Sequence, residues 1–468
     1  MVGHPAAVDT DSDGVAASIA VLPFANLSAD TAHEYFADGL ADELITSLSL
    51  VEGFHVTSRT SSFAFRRQDL DVREIGRRLG VQSVLEGSVR RGDGRVKVSA
   101  RLIGVADGYQ QWTQTYERKV QDALVIQDEI ARAIVETLKG RLGAGKSATA
   151  SGGTTDPEAY DLYLKGRFFR NKRTNDGLRR SIELLNEAVK RAPNFARAHA
   201  GIAEAYAVLG FYDAEPAREA FPAAARAATE ALRLDPALGS AHATLGYVAL
   251  YYDWDWSRAE SEFRRAIELE PSYATAHQWY ANHLTVMGRF AAAEREMRQA
   301  LTLDPLLLIA NAALGWVLYH KGDNEGALAQ FRLTADLDST FALTHLWEGQ
   351  TLERMGRTDE AVASLRRAVQ LSGESTIFVA ALARTLAIRG ERAEAERLLR
   401  GVESARVVPA YEVAKVYAAL GRRSEAFRSL ERAYELHSHS MVFLRVDPQL
   451  AALRDDPAFE RIAKRVGL

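Results

Sequence analysis

Residues 140–147, GRLGAGKS, have the residue types and the spacing of a nucleotide-binding P-loop. In this motif, G-x-x-x-x-G-K-[ST], backbone amides surround the phosphates of a nucleotide, and the lysine, here Lys146, reaches the β- and γ-phosphates. The chemistry requires a buried strand before the loop and a helix after it. A helical pattern precedes this stretch and ATASGGTTD follows it. We therefore interpret it as a helix end that leads into a flexible linker.

Two other stretches contain the residue types that bind metals. His437 and His439 in LHSHS supply two imidazoles without a third ligand in view. The aspartates of YDWDW (252–256) supply oxygen ligands, but a metal site would need more carboxylates nearby. We favour the structural alternatives, which are a polar cluster at a helix end for the histidines and an extended turn with Trp254 and Trp256 packed between helices.

Three charged residues lie on predicted strands of the first half: Arg59, Glu86 and Arg90. A ligand-binding trio and a partly exposed ion pair across the sheet are the alternatives, and we favour the ion pair. No nucleophile–base arrangement or paired-carboxylate cleft has supporting context. The sequence therefore predicts no catalytic residue, no metal site and no cofactor.

The composition limits the chemistry further. The 468 residues include no cysteine, which excludes disulfides, cysteine-ligated zinc, iron–sulfur clusters and thiol nucleophiles. A net charge of −4 gives no reason to expect a nucleic-acid partner. No apolar run is long enough to span a membrane, and the small, acidic residues 1–17 lack the pattern of a signal peptide. We expect residues 1–17 to be a disordered tail and the protein to be cytoplasmic, or periplasmic if the chain is a fragment from behind a membrane anchor.

Residues 18–142 alternate strand and helix patterns, which predicts a small α+β domain with helices covering one sheet. Asp71 can cap one of the helices, and Gly80 can end it. The predicted strands are 18–24, 54–60, 81–91, 95–105 and 109–118, and the predicted helices are 33–51, 71–80 and 120–142. The small, polar residues 143–156 predict a flexible linker to the second half.

The second half is helical and repeats with a period of about 34 residues. The marks that share this period are Gly288, Gly322, Gly356 and Gly390, followed by Gly421; Ala293, Ala327, Ala361 and Ala395; and Pro236, Pro271 and Pro305, with Pro193 before an insertion. Such marks resemble the tetratricopeptide repeat (TPR), in which each helical hairpin buries its apolar face against the next. We predict a TPR solenoid of about eight hairpins over 157–440 and a capping segment over 441–468.

Each mark has a physical role in such a hairpin. A left-handed glycine ends the first helix at little conformational cost, and the alanine lets the second helix approach its neighbours closely. The proline begins the next repeat, where a missing N–H group costs little.

The first helices of the pairs are expected to line the concave face of the solenoid. Projection of the 34-residue register places nine polar and aromatic residues on this face: Gln278, Asn282, Trp316, Tyr319, Gln350, Glu353, Arg384, Tyr411 and Lys415. Amides and cations can hold the backbone or acidic groups of an extended peptide, while the aromatic rings bury its side chains. A solvated, partly structural face is the alternative, because every solenoid has a concave side.

With both halves in view, the chain resembles a known domain combination. The first half is similar to the TolB-like N-terminal domain family in five stretches: IAVLPFANLSAD, EYFADGLADELITSLS, VTSRTSSFAF, DVREIGRRLGVQSVLEGSVRR and ARLIGVADGYQQWTQTYERKVQDALVIQDEIARAI. The second half is similar to the TPR array that commonly follows it, in YDWDWSRAESEFRRAIELEP, HQWYANHL and VDPQLAALRDDPAFERIAKRVGL. The resemblance covers nearly the whole chain after residue 17.

In that family the pair often forms the regulatory half of a larger bacterial signalling protein. Its other half is a class III adenylate cyclase, a protein kinase or a winged-helix DNA-binding domain of the CadC type. None of these effectors fits into 17 residues, and the resemblance supplies no catalytic residues. It implies a regulatory or scaffolding module.

The sequence therefore predicts a non-enzymatic protein-interaction or scaffold protein of bacterial signalling, which binds a protein or peptide in the concave TPR groove. One alternative is a nucleotide- or small-ligand-sensing protein that uses the N-terminal domain and Lys146. Another is the detached regulatory half of an adenylate cyclase or a transcription regulator. We expect no nucleic-acid partner and no membrane span, and homo-oligomerisation stays open.

Overall fold

A computed structural model of the chain describes residues 17–28, 30, 33–51, 53–66, 68, 70–92, 94–119, 122–138, 153–212 and 214–468. The P-loop-like stretch at 140–147, most of the predicted linker and nearly all of the predicted N-terminal tail lie outside these residues. Among the described residues, no helix has both the length and the apolar character that crossing a membrane requires.

The N-terminal region contains a mixed sheet. Its strands are β1 (Ala17–Val21), β2 (Ala25–Asn26), β3 (Phe54–Val56), β4 (Ser83–Gly92), β5 (Arg95–Gly104) and β6 (Gln110–Lys119). The strand order is β3-β1-β4-β5-β6, and β2 pairs with β4. β1 runs parallel to β3 and β4, whereas β4, β5 and β6 form an antiparallel meander. A strand lies at each of the five predicted positions, and β2 was not predicted because two residues carry no periodic pattern.

Four helices accompany this sheet: α1 (Glu34–Ser49), α2 (Arg59–Phe63), α3 (Val72–Leu79) and α4 (Ala123–Leu138). The predicted capping of α3 is confirmed, because the carboxylate of Asp71 accepts the N–H of Arg73 and Gly80 has a left-handed φ of 67°. The predicted strand at 54–60 is wrong at its end, where α2 begins at Arg59. The α+β class is confirmed, since α1 and α4 share a core with the sheet.

The rest of the chain is a helical solenoid, as predicted. Its eight pairs are α5 (Pro157–Asn171) with α6 (Asn175–Arg191), α7 (Ala196–Phe211) with α8 (Ala217–Leu234), α9 (Gly239–Val248) with α10 (Trp256–Leu269), α11 (Ala274–Val286) with α12 (Phe290–Leu303), α13 (Leu308–Lys321) with α14 (Asn324–Leu337), α15 (Ala342–Arg354) with α16 (Thr358–Leu371), α17 (Thr376–Arg389) with α18 (Arg392–Glu403), and α19 (Ala410–Ala419) with α20 (Arg423–Glu435). One π-helical turn, Ala249–Asp253, follows α9.

The repeated glycines and alanines have the predicted roles, and the prolines differ from the prediction. All five glycines have positive φ, from 68° at Gly288 to 97° at Gly390, and the four alanines are fully buried. The prolines differ, because they lie in the turn before each first helix rather than within it. In these turns the proline carbonyl forms a hydrogen bond with a side chain six residues later. The carbonyl of Pro271 lies 3.0 Å from Nε2 of His277, and the carbonyl of Pro305 accepts a hydrogen bond from Nδ2 of Asn311 at 2.9 Å.

The two regions pack against each other. Residues of α5 and α7 belong to the same buried cluster as α1 and α4. Glu43 of α1 is fully buried, and its carboxylate pairs with Arg167 of α5 and, at 2.6 Å, with Arg197 of α7. The hydroxyl of Ser61 donates to Asp304, in the turn before α13, at 2.5 Å. The N-terminal region therefore rests on the edge of the solenoid where the first helices begin.

The chain after α20 returns across the solenoid. It forms two 3-10 helices, His439–Phe443 and Pro448–Leu453, and then α21 (Pro457–Val466). α21 shares a buried cluster with α19 and α20, which is the arrangement expected of a capping helix. The indole of Trp256 donates to the carbonyl of Gly467 at 2.7 Å, so the third repeat also touches the C-terminal end.

Candidate peptide groove

The nine residues predicted to line the concave face lie on the first helices of five successive pairs, α11, α13, α15, α17 and α19. Six of them are buried and three are half-buried: Asn282, Trp316 and Arg384. We call the nine residues the groove residues. Because none is exposed, something covers this face of the solenoid.

The cover is a segment of the same chain, residues 437–449, which we call the groove segment. Phe443 inserts its ring among the aromatic side chains of α13. It lies parallel to His320, with ring centroids 5.5 Å apart, and edge-on to Trp316 at 6.3 Å. Trp316 in turn stacks on Tyr319 at 4.9 Å and on Trp347 at 5.2 Å. These rings form an apolar site that one aromatic side chain of a peptide fills.

The backbone and an acidic side chain of the groove segment are also bound. Nδ1 of His320 lies 3.3 Å from the carbonyl of Val446. The carboxylate of Asp447 accepts the hydroxyl of Tyr411 at 3.1 Å and lies 3.5 Å from the ammonium of Lys415. Asp447 is only 2% exposed. The solenoid therefore holds an aromatic ring, a carbonyl and a carboxylate within five consecutive residues, 443–447.

The charges around Asp447 stabilise its ionised form. Burial alone would raise the pKa of this carboxyl, but Lys415, the N–H of Gln449 and Arg384 hold it below its usual range. Burial lowers the pKa of His320 to about 4, so this ring is neutral at pH 7. A neutral imidazole can donate from Nδ1 to the Val446 carbonyl while it packs against apolar rings.

The middle of the groove is polar. Glu353 accepts the hydroxyl of Thr385 at 2.6 Å, pairs with Arg384, and accepts the side-chain amide of Gln449 at 3.4 Å. Burial lowers the pKa of Arg384. Glu353 therefore links two solenoid helices to the groove segment through charge-assisted hydrogen bonds.

Some polar atoms of the groove have no partner among the described residues. They include the side-chain oxygens of Gln278 and Gln350 and the hydroxyl of Tyr319. Unpaired buried polar atoms are rare in folded proteins, because each costs about 1–3 kcal/mol. The groove segment thus leaves hydrogen-bonding capacity on the solenoid wall that another peptide could use.

The histidines of LHSHS belong to the start of the groove segment and pack against aromatic rings. His437 stacks on Trp254 at 4.9 Å, and His439 lies 4.6 Å from the ring of Phe211. In the part of the chain that is described, no group of three or more His, Asp or Glu side chains is arranged to hold a metal. Trp254, which was expected to pack between helices, contacts His437 and Tyr434 of α20.

The charged trio of the first region does not assemble. Glu86 pairs with Arg101, directly opposite on β5, which is the cross-strand ion pair that we favoured, with a different partner. Arg59 lies on α2 beside Asp38 and Asp42, at 3.9 and 3.7 Å.

Sequence reasoning missed the residues that complete the groove. His320 and Trp347 share the first helices of their pairs with the predicted residues, but the 34-residue columns did not include them. Asp447 was assigned to a capping segment. One signal was available: VDPQ repeats the Asp-Pro of the inter-repeat turns at a place where no further repeat follows.

Comparison with known proteins supports the repeat assignment. Family models described as tetratricopeptide repeat match residues 248–305, 281–340 and 344–375. A protein of Rhizobium meliloti (strain 1021) named "Putative adenylate cyclase 3" is 40% identical over 186 residues, which are 40% of this chain and 32% of that protein. The chain thus spans about a third of the length of this relative.

Solved TPR structures are similar at lower identity. One is a tetratricopeptide repeat protein from Parabacteroides merdae, 13% identical, which covers 56% of this chain and 97% of its own with a TM-score of 0.39. Another is YrrB, described as a TPR protein with an unusual peptide-binding site, 18% identical over 44% of this chain and 99% of its own with a TM-score of 0.29. The chain is a TPR-containing protein with a small N-terminal α/β region, an architecture consistent with a protein-interaction scaffold.

Proposed function

We propose that this protein is a non-enzymatic interaction module whose concave TPR groove binds a peptide segment of a protein partner. The observation that carries the proposal is the groove segment itself. It places an aromatic ring against Trp316 and His320, and a carboxylate beside Tyr411 and Lys415. A partner peptide of the same chemistry, with an aromatic residue about four positions before an acidic one, would use the same contacts.

In this proposal the groove segment competes with the partner. Ordering a residue costs about 1–2 kcal/mol, and full burial of one aliphatic side chain returns about 1.5–3 kcal/mol. Within 437–449 the buried residues are His439, Met441, Val442, Leu444, Asp447 and Gln449, and the other seven are half-buried or exposed. The ordering cost of those seven residues offsets part of the free energy that burial supplies, so in this proposal a peptide that binds more tightly replaces the segment.

The cellular role that we propose is regulation of an effector protein in bacterial signalling. The TolB-like resemblance of residues 18–142 and the similarity to a protein named as an adenylate cyclase both support it. A nucleotide-sensing role through Lys146 is the less favoured alternative, because a helix, α4, precedes that stretch where a P-loop needs a strand.

Binding of a labelled synthetic peptide, residues 437–449, to the full chain tests the proposal by fluorescence anisotropy. The tethered segment has an effective concentration in the millimolar range, so the unmodified chain should bind the free peptide weakly. Asp447→Asn should weaken the tethered copy and increase binding of the free peptide. Adding Lys415→Met should abolish that gain, because the groove itself then lacks the cation. Equal binding by all three chains would contradict the proposal.

A further inference from the structure

The strand β6 leaves one edge of the N-terminal sheet open. It is the last strand in the order of the sheet, and among the described residues no strand pairs with its outer side. The opposite edge, at β3, lies beside the solenoid, where the N–H of Ser58 donates to the carbonyl of Leu303 at 3.3 Å. An open strand edge presents unpaired N–H and C=O groups, which another extended chain can complete.

The middle of β6 lacks the features that protect most edge strands, which are charges, prolines and bulges. In β6 such features occur only near the ends. The register with β5 shifts at Gln111, and residues 117–119 are all charged. The five residues between them, 112–116, have the sequence WTQTY and contain no charge, proline or glycine. Nothing in this stretch therefore opposes pairing with a further strand.

The face of β6 that points to the core is incompletely covered. Tyr116 is buried and Trp112 is half-buried, and both pack in the cluster that α1 and α4 share with the sheet. Gln114 lies between them on the same face, because side chains alternate along a strand, yet it is exposed. The helices thus leave the core side of this edge open to solvent at Gln114.

An exposed apolar side chain flanks the same edge. Val125, near the start of α4, is 48% exposed. Glu129 follows it by one helical turn and lies 3.6 Å from Arg118 of β6, so both residues are on the side of α4 next to this edge. A strand added to β6 therefore comes close to Val125 and removes apolar surface from water.

The sequence of β6 is complementary to itself. Antiparallel pairing of two copies about a two-fold axis through the middle of the strand opposes Gln114 to its own copy, Thr113 to Thr115, and Trp112 to Tyr116. Aromatic pairs and threonine pairs are stabilising cross-strand neighbours. The charged residues 117–119 of each copy then face the uncharged residues 109–111 of the other, so no like charges are opposed. A second copy of the chain therefore fits this edge.

We propose that the protein forms a homodimer in which the two β6 strands pair antiparallel about Gln114 and join the two sheets into one. The two-fold axis is perpendicular to the sheet, so both α4 helices lie on the same face, where they flank the paired glutamines. The contact uses the same strand in both copies. It therefore closes at the dimer and leaves no open edge at β6 for further growth.

A single introduced thiol tests the register, because the chain contains no cysteine. Opposed residues of antiparallel strands have Cα atoms about 4.5–5.5 Å apart, within the range of about 4.4–6.8 Å that a disulfide requires. Under mild oxidation Gln114→Cys should form a disulfide-linked dimer of the full chain in non-reducing electrophoresis. Glu117→Cys is the matched control, an exposed position of the same strand whose copy lies about 20 Å away in this register.

Sedimentation equilibrium of the full chain measures the dimer without a cross-link. Gln114→Lys should raise the dissociation constant of the dimer about tenfold, because two ammonium groups then face each other, and Gln114→Glu should do the same with two carboxylates. An equimolar mixture of these two variants should dimerise again, since opposite charges are then paired. Gln299→Lys, at an exposed glutamine of α12, should leave the equilibrium unchanged.

Three results would overturn the proposal. The first is a wild-type chain that stays monomeric up to about 100 µM. The second is a dimer of unchanged affinity in Gln114→Lys, which would place the contact on another surface. The third is equal cross-linking of Gln114→Cys and Glu117→Cys, which would mean random collision. Circular dichroism checks that each variant folds, and the thiol and charge variants report independently, so the failure of one to fold leaves the other as the test.

Discussion

Replacing Asp447 by asparagine removes the buried negative charge of the groove segment. Asparagine keeps the size of the side chain and an oxygen that can accept the N–H of Gln449, now at 2.8 Å. It loses the charge that faces Lys415 at 3.5 Å and weakens the acceptor of the Tyr411 hydroxyl. The change therefore removes one interaction from a segment whose shape is preserved.

The size of the effect follows from what remains in the groove. Losing one partner of a buried ion pair costs about 3–5 kcal/mol when the other charge is left alone. The charge of Lys415 stays paired in this variant, since the carboxylate of Glu412 lies 2.7 Å from its ammonium. We therefore expect Asp447→Asn to lower the free energy of opening of the groove segment by about 1–3 kcal/mol.

Hydrogen exchange followed by mass spectrometry measures this opening directly in the full chain. Peptides that cover 437–449 should exchange about ten- to hundredfold faster in Asp447→Asn, since about 1.4 kcal/mol is a factor of ten. Peptides from α6 and α8 should not change. Asp455→Asn is the matched control, because Asp455 is an exposed acid of the same C-terminal segment.

A double-mutant cycle with Lys415→Met separates the ion pair from other effects. The effects of the two single changes on the free energy of opening should be less than additive, with a coupling of about 0.5–3 kcal/mol. The reason is that either change alone already breaks the ion pair. Strictly additive effects, or exchange rates within twofold of the wild type in Asp447→Asn, would refute the reasoning.

Three further predictions concern other parts of the molecule. Burial lowers the pKa of His320 to about 4, and an unfolded histidine titrates near 6.5, so the unfolded chain binds the proton first and stability falls between these pH values. In His320→Asn, the loss of urea stability between about pH 7.5 and pH 5 should shrink by about 2 kcal/mol, and an unchanged pH dependence would argue against a neutral buried ring. Gly322→Ala should destabilise the solenoid by about 1 kcal/mol in urea, because its φ is 94°, whereas Gly401→Ala, inside α18 with open space around it, should be neutral or stabilising. Glu43→Gln should lower stability by about 3–5 kcal/mol in thermal unfolding, since it leaves buried arginines without their carboxylate, and a loss below about 1 kcal/mol would mean that the interface tolerates the change.

The repeat architecture could be predicted because each mark is local. A glycine that must be left-handed, such as Gly322 or Gly390, and an alanine at a close helix contact, such as Ala327, are required by the geometry of one hairpin. The pairing of β4 with β5 could be predicted for the same reason, since the sequence Gly-Asp-Gly at 92–94 between two alternating stretches is typical of a hairpin.

The position of the C-terminal segment in the groove could not be predicted from local sequence patterns. Phe443 and Asp447 meet residues of α13 and α19, and the contact between Asp447 and Tyr411 spans 36 residues. No periodic pattern marks such a contact, because it depends on the curvature of the whole solenoid. The groove residues themselves were found from their register, but their burial under the chain's own segment could only be seen in three dimensions.

The same limit applies to the contact between the two regions. Glu43 was one acid of an amphipathic helix in the sequence, and in the structure it is fully buried between Arg167 and Arg197, more than 120 residues away. A buried carboxylate with distant partners cannot be told from a surface one by periodicity alone.

The most direct test of a peptide-binding groove with a replaceable occupant is exchange of that occupant under native conditions. A protease site inserted after Leu436, which is 37% exposed, allows the bond before the groove segment to be cut in the folded chain. We expect residues 437–468 to stay bound after cleavage and to be replaced by an excess of a labelled copy, while the helices of the solenoid remain protected from hydrogen exchange. Replacement only when the solenoid itself unfolds would show that the segment is a permanent part of the core, and the groove would then have no replaceable occupant.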